Sequence, residues 1–494
     1  MPQYDLIVRG ASVIDGTGAP SFEADVAVAD GRIAAVGEVA GDATRVIDAA
    51  GMAVSPGFID VHSHDDIALL IDPRLDFKAA QGVTTVVSGN CGLGAAPANE
   101  RLEQFYARGI EAVLGPVNEF TWRSLPEFYD AVRAAGPSVN AAFLVPHGTL
   151  RIAAMGWGNE QPGADEIETM KEYLREGMAA GAVGLSTGLI YVPGTFAQTE
   201  ELIELAKVVA EFGGMYVSHI RNEGPRLLEA VEEAMRIGEE AGVPVQISHH
   251  KAGGRDNWGR TKDSLALIDK ARARGHQVTI DAYPYTANSS ALAAFARGGR
   301  LTRAVDPEDI LIASVKNQRE YEGKRLNEIA SMMDLPVEDA IVRLLREEDN
   351  AVVAIMFTMD EADVRRVLQH PACMIGSDGL PSTTGKPHPR LYGTFPRVLG
   401  HYAREEGIYS LAEGVRRMTS LPATTFGLAE RGELREGYWA DLVVFDPATI
   451  IDTATYDDPR HYPAGVSHVI VNGHVVVENG VGESVAAGQV LKRG

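Results

Sequence analysis

Only two cysteines, Cys91 and Cys373, occur among 494 residues. That is too few for a disulfide framework and suits a reducing compartment. Basic side chains are also scarce: 45 Lys and Arg face 68 Asp and Glu, a formal net charge of −23. Such a surface repels phosphate backbones and anionic lipid, which argues against nucleic acid and membranes as partners. Long hydrophobic runs are missing too. Stretches such as Ala351 to Phe357 are strand-sized, far short of the roughly 20 residues that span a bilayer. The opening residues Met1 to Gly10 lack the basic patch and apolar core of a secretory leader, so a cytoplasmic chain is expected. Aromatics make up only 7%, but the 45% of apolar and 23% of charged residues describe an ordinary globular protein with a sizeable core. No short-period repeat or low-complexity tract is present.

What is there falls into two rhythms. The first 55 residues alternate β-rich runs with turn pairs: Tyr4 to Val8, Ala24 to Val28, the Asp30-Gly31 turn, then Arg32 to Val36. The end repeats this style, with Asp441 to Phe445, Val466 to Val471, the Asn472-Gly473 turn and His474 to Val477. Neither end has enough strands to bury a face alone. Residues 1–55 and 430–494 are therefore expected to form one small, discontinuous, sandwich-like β domain.

Between them, residues 56–429 alternate short Val- and Ile-rich runs with amphipathic stretches, the βα pattern of a parallel sheet. Candidate strands are Phe58 to His62, Val83 to Ser88, Ala141 to His147, Val183 to Ser186, Met215 to His219, Val245 to His249, Val278 to Asp281 and Cys373 to Asp378. Eight strands predict an α/β fold, a closed (β/α)8 barrel of the TIM type inserted into the β domain. In the helical stretch Asp165 to Ala179, Ile167, Met170, Leu174 and Met178 share one apolar stripe. The interval from Asp281 to Cys373 is too long for one crossover, so residues 284–350 are read as an inserted lid. It holds Arg297, Arg300 and Arg303 and a helical part from Arg325 to Arg346. The run Val352 to Phe357 is a ninth strand candidate that leaves the count open by one.

Polar residues gather at the ends of these strands. His62 and His64, two apart at the end of the first strand, project to one side and can converge on a divalent metal. His219 and His249 close two further strands, Asp378 closes the last, and Cys91 follows the second. In a barrel the strand C-termini form one face, where active sites assemble from separate strands. Imidazole and thiolate are ligands zinc prefers, and dispersed ligands exceeding four point to one or two catalytic zinc ions with an open position for water. A bound metal lowers that water's pKa to about 7, which supplies hydroxide at neutral pH. Cys373 starts a strand and reads as a small buried apolar residue, and His250 points away from His249. His147 and His388 remain candidates for touching substrate.

The segments Gly57-Phe58-Ile59-Asp60-Val61-His62-Ser63-His64-Asp65-Asp66, Gly89-Asn90-Cys91-Gly92, Gly184 to Tyr191, Ser218 to Glu223, Ile247 to Lys251 and Gly376-Ser377-Asp378-Gly379 resemble the amidohydrolase superfamily. Within it, the chain is similar to the D-aminoacylase (N-acyl-D-amino-acid deacylase) family over essentially its whole length. The superfamily commonly bridges two metals with a carboxylated lysine on the fourth strand. Val183 to Ser186 offers none, and Cys91 takes its place, as in D-aminoacylases. The resemblance implies a tightly held zinc on Cys91, His219 and His249, and a weaker metal position served by His62 and His64 near Asp378.

The activity so implied is hydrolysis of the amide bond of N-acyl-D-amino acids, with metal-bound hydroxide as nucleophile. Asp378 is expected to serve as general base toward water and general acid toward the leaving amine. The substrate is a small N-acyl amino acid whose carboxylate requires cations or phenols. The resemblance supports Lys251, Tyr283 and Arg390 for that role, and Tyr191 lies near the same face. Family members acting on N-acyl-D-glutamate are expected to place an arginine in the insertion, where Arg297 or Arg300 could serve. Ala291 to Phe295 instead suggest a pocket for D-Met, D-Leu or D-Phe derivatives, and the balance leans to neutral apolar substrates. A cyclic amide hydrolase of the hydantoinase or dihydropyrimidinase type, and a non-catalytic scaffold relative, are the alternatives. Oligomeric state is not legible.

Overall fold

The computed structural model describes residues 3–301, 305–382 and 384–494, with the backbone alone of Arg297. The chain opens with five strands, β1 (Tyr4–Val13), β2 (Phe22–Ala29), β3 (Arg32–Gly37), β4 (Ala43–Asp48) and β5 (Ala53–Pro56). Asp30 and Gly31 both adopt positive φ, 51° and 74°, the twist that a tight hairpin between β2 and β3 requires.

The barrel begins immediately. Its strands are β6 (Phe58–Asp60), β7 (Val83–Ser88), β8 (Asn140–Pro146), β9 (Gly184–Gly188), β10 (Met215–His219), β11 (Val245–Ile247) and β12 (Val278–Ala282). All pair in parallel in sequence order. They are buried on both faces, which is why most of them lack the apolar-polar alternation of a half-exposed strand. The helix Ala164–Ala180 returns from β8 to β9 with Met170, Leu174 and Met178 buried.

After β12 the chain leaves the barrel. The strands β13 (Asn288–Ala291), the short hairpin β14 (Ala296–Arg297) and β15 (Arg300–Leu301), β16 (Ile310–Val315) and β17 (Val352–Met356) belong to this excursion. In it β17 is the centre of a three-stranded antiparallel sheet flanked by β13 and β16. The run Val352 to Phe357 is thus a strand of the insertion, and the barrel keeps eight. Two helices, Leu326–Met332 and Val337–Glu347, replace one continuous helical stretch. Pro336 together with Asp334 at φ 53° ends the first and starts the second. Leu292, Phe295, Ile312, Ile329, Leu344 and Val352 give the insertion its own core.

The eighth barrel strand is β18 (Cys373–Ile375), paired with β12. Beyond it the Asp378 amide donates to the His62 carbonyl at 2.8 Å, which brings the last strand's exit against the first. A buried lysine reinforces that seam. Lys78 Nζ donates to Asp60 Oδ2 at 2.6 Å and to Ser377 Oγ at 2.7 Å, and stands 3.4 Å from Asp65.

The chain ends with β19 (Leu442–Phe445), β20 (Val466–Val471), β21 (His474–Glu478) and β22 (Val481–Gly482). Asn472 and Gly473, at φ 48° and 84°, form the expected hairpin turn. Both ends of the chain share one nine-stranded sheet ordered β22-β21-β20-β19-β5-β1-β2-β3, with β4 alongside β1. Eight of its strands form one hydrogen-bonded path, and β4 branches from it at β1. The fold is therefore an α/β barrel inserted into a β domain built from both termini. No helix among the described residues is long and apolar enough to cross a membrane.

Removing the Lys78 ammonium leaves buried carboxylates without their counter-charge, a change of about 3–5 kcal/mol for pairs of this kind. Lys78→Met is expected to lower stability by that order in denaturant titration, and an unchanged unfolding midpoint would show that the seam does not depend on the ion pair.

Candidate metal and catalytic site

The donors sit at or just past the strand ends. His219 is the last residue of β10, and Cys91 lies in the 3₁₀ turn Asn90–Gly92 after β7. His62 and His64 follow β6, His249 follows β11 and Asp378 follows β18. Cys91, His249 and Asp378 hold positive φ of 54°, 32° and 49°. Such strained backbone in non-glycine residues clusters at functional sites and persists only where the surroundings enforce it. One enforcing contact is visible at Gly188, where a Cβ would come within 2.0 Å of the Cys91 carbonyl oxygen. The turn carrying the cysteine packs directly on backbone.

Six of the expected site residues meet. Cys91 Sγ lies 3.3 Å from His62 Nε2 and 3.5 Å from both His219 Nδ1 and His249 Nε2. Asp378 Oδ1 is 3.1 Å from His64 Nε2 and 3.5 Å from His62 Nε2. Ligand atoms of His62, Cys91, His249 and Asp378 all lie within 4.8 Å of one another, as do those of His219, Glu223 and His249. All are buried.

Burial alone would push the Cys91 thiol up, but the charge of His62 and hydrogen bonds from His219 and His249 outweigh it and hold the thiol well below its ordinary value. Burial would likewise raise the Asp378 carboxyl, yet the Arg390 guanidinium and the His64 hydrogen bond hold it well below the usual carboxylate range. The site therefore favours a thiolate and a carboxylate. Cys373 is the contrast: burial pushes it up to about 12.

The substrate-binding candidates are placed differently from one another. Arg390, buried at the start of the helix Arg390–Arg397, has Nη1 2.9 Å from Asp378 Oδ2. Its guanidinium carbon stands 4.5 Å over the Tyr283 ring. Tyr283 is itself 2% exposed, and burial raises its phenol well above the ordinary value, so it remains a donor. Lys251 is buried, its Nζ 2.6 Å from Glu223 Oε1 and 2.7 Å from His249 Nδ1. Tyr191 sets its ring against His219, centroids 4.9 Å apart, with its hydroxyl 3.2 Å from Ser290 Oγ. Arg300 is exposed and stands 3.6 Å from Glu338, not among the donors. The side chain of Arg297, and Arg303 altogether, lie outside the described residues.

Three other histidines go elsewhere. His147 opens a helix instead of ending a strand and bonds Glu201 at 2.8 Å. His250 faces away, bonds Ser264 at 2.8 Å, and is pushed down to about 3 by burial. His388 points Nε2 at the Ala287 carbonyl, 3.0 Å away.

Sequence reasoning missed the supports. Asp281 accepts from the His249 amide at 2.9 Å, lies 3.3 Å from His62 Nδ1, and accepts from Gln246 at 2.6 Å. Asp60 accepts from the Ser377 amide at 2.8 Å and from the His62 amide at 3.2 Å. A carboxylate at the inner end of a barrel strand is the signal that could have found both. Glu223, four residues after His219, couples Lys251 to His249.

Residues 45–477 match the model of the amidohydrolase family. Over 491 residues the chain is 43% identical to the D-aminoacylase of Alcaligenes xylosoxydans xylosoxydans, covering 99% of this chain and 98% of that protein. The chain belongs to the amidohydrolase family. Its kinship within that family is with the D-aminoacylases, and it is a hydrolase. The N-acyl-D-glutamate deacylase of the same organism is 44% identical over 99% of this chain and 97% of its own length. A crystal structure of N-acyl-D-glutamate deacylase from Bordetella bronchiseptica, complexed with zinc and a phosphonate mimic of the tetrahedral intermediate, is similar with a TM-score of 0.91, 44% identity and 99% coverage of both chains.

The two thiols of this amidohydrolase should differ sharply in reactivity. Iodoacetamide at neutral pH after chelator treatment is expected to label Cys91 and spare Cys373, read by peptide mass spectrometry. Equal labelling of both would contradict the electrostatics of the site.

Proposed function

We propose that the chain hydrolyses the amide bond of N-acyl-D-amino acids, with zinc held at the strand ends. The observation that carries this reading is the convergence of three imidazole nitrogens on Cys91 Sγ at 3.3–3.5 Å. Zinc fits the residues present. Sulfur and nitrogen donors suit it, and the buried His219 Nε2 and His64 Nδ1 have no hydrogen-bond partner. Cys91, His219 and His249 would hold the tight metal, and His62, His64 and Asp378 the weaker position. A zinc ion bound there would polarise the acyl carbonyl and acidify water.

The remaining chemistry belongs to the chain. Asp378, kept ionised by Arg390, is placed to take a proton from the attacking water and to return it to the nitrogen, because an amine does not leave as its anion. Lys251, Tyr283 and Arg390 form a buried cationic and phenolic wall for the substrate carboxylate. Tyr191, edge-on to His219, contributes a hydroxyl on the opposite side. Glu223 and Asp281 fix the imidazole orientations, the usual task of carboxylates behind metal ligands. The strand Gly184–Gly188 carries no lysine, which disfavours a cyclic amide hydrolase of the hydantoinase type. The D hand is argued from the relatives' names, D-aminoacylase and N-acyl-D-glutamate deacylase. Their nearly equal identity leaves the side-chain preference to the pocket.

Asp378→Asn is expected to lower kcat by about 10²–10⁴-fold, the range for losing general acid–base catalysis, while the tightly bound zinc on Cys91, His219 and His249 is retained, read by mass spectrometry. Cys91→Ala should lose the tightly bound zinc. Near-normal turnover in the first variant would refute the role of Asp378. Lys251→Met should raise KM for N-acyl-D-amino acids and leave the corresponding N-acyl-D-amino acid amides far less affected. An equal effect on both substrates would remove Lys251 from carboxylate binding.

A further inference from the structure

We infer that the apolar cavity opening at the donor cluster receives the acyl chain of the substrate, so that the chain is adapted to acyl groups longer than acetyl. This rests on the deacylase reading above. The cavity holds about 350 Å³, within the roughly 300–1,000 Å³ of small-molecule sites. Its floor is chemical: His64, Cys91 and Asp378. Much of its wall is hydrophobic, with Leu93, Phe105, Ile110, Val113, Trp157 and Ile190 beside the polar Ser289, Ser290 and Asn350.

The six apolar side chains are only half-buried. They come from separate parts of the fold: the turn after β7, the helical stretch from Glu100 to Leu114, the loop after the helix His147–Met155, and the turn after β9. Phe105 and Trp157 already touch, with centroids 5.7 Å apart. Large apolar side chains that share a concave surface beside polar catalytic groups mark a place for apolar ligand.

The direction of the cavity decides which part of the substrate enters. The carboxylate wall of Lys251, Tyr283 and Arg390 does not line it. Arg390 lies 2.9 Å beyond Asp378 Oδ2, and Lys251 lies behind His249. With the substrate carboxylate held there and the scissile carbonyl at Cys91 and Asp378, the acyl substituent extends to the other side, toward Leu93 and Trp157. Among the described residues Arg108 is the cation of the cavity wall; it is exposed, with its guanidinium carbon 5.6 Å from the Trp157 ring.

The test is a series of N-acetyl-, N-butanoyl-, N-hexanoyl- and N-octanoyl-D-leucine with the zinc-loaded protein, scored by amine release. kcat/KM is expected to rise roughly three- to fourfold per added methylene while the chain remains in the cavity. Val113→Trp, which fills the cavity, should collapse the octanoyl-to-acetyl ratio toward one. Turnover of N-acetyl-D-leucine with no dependence on acyl length overturns the assignment and leaves the deacylase reading intact. A flat acyl series combined with a dependence on D-side-chain size that Val113→Trp removes gives the cavity to the amino-acid side chain instead. Amine release from no member overturns the deacylase reading and this one with it. Inhibition of the unmodified protein by acetate, butanoate, hexanoate and octanoate is independent of whether the variant folds: tightening with length supports the inference, and equal potency overturns it.

Discussion

Three imidazole nitrogens stand within 3.5 Å of one cysteine sulfur in a place that solvent barely reaches. Donor groups packed so closely, without a cation among them, repel one another or compete for the same protons, and in a low dielectric that competition is severe. Much around the cluster serves to hold it. Asp281 grips the His249 backbone and lies beside the His62 ring. Glu223 balances Lys251 behind His249, and positive φ at Cys91, His249 and Asp378 turns each residue inward.

The same demand explains the buried charge below the site. Asp60 and Ser377 belong to opposite ends of the barrel sequence, yet Lys78 bonds both. A barrel with short strands of three residues at its seam, β6 and β18, has few backbone hydrogen bonds there. Side chains take over. Because Asp60 also accepts from the His62 amide, the contact that closes the barrel is one bond removed from the donors, and the seam and the site share their atoms.

Much of this was legible from residue order. Most of the barrel strands announce themselves because parallel strands covered on both faces are short runs dominated by apolar residues set between helical stretches, and the hairpins do so through Asp30-Gly31 and Asn472-Gly473. His62, His64, Cys91, His219, His249 and Asp378 were legible because barrel topology sends every strand end to one face. The supports were not. Lys78 sits in a short helix between Leu75 and Ala80, and nothing near it tells that its partner Ser377 is 299 positions away. His147 misled because Pro146 ends its strand and the next residue already belongs to a helix. Val352 to Met356 has the composition of a barrel strand, and only its antiparallel partners β13 and β16 assign it to the insertion.

The short strand Ala53–Pro56 pairs with β1 on one side and with β19 on the other. It is thus flanked by segments, Tyr4–Val13 and Leu442–Phe445, that leave the ribosome more than 400 residues apart. While the barrel is being translated, one edge of that strand waits with its amide and carbonyl groups open to water and to other nascent chains. The barrel strands pair with their neighbours in sequence and so find each other earlier, although Ala141 of β8 still waits for Gln489 and Leu491 to bond its amide and carbonyl. Synthesis therefore delivers a nearly finished catalytic core carrying an unfinished sheet, and the final stretch of polypeptide is what shields it from self-association.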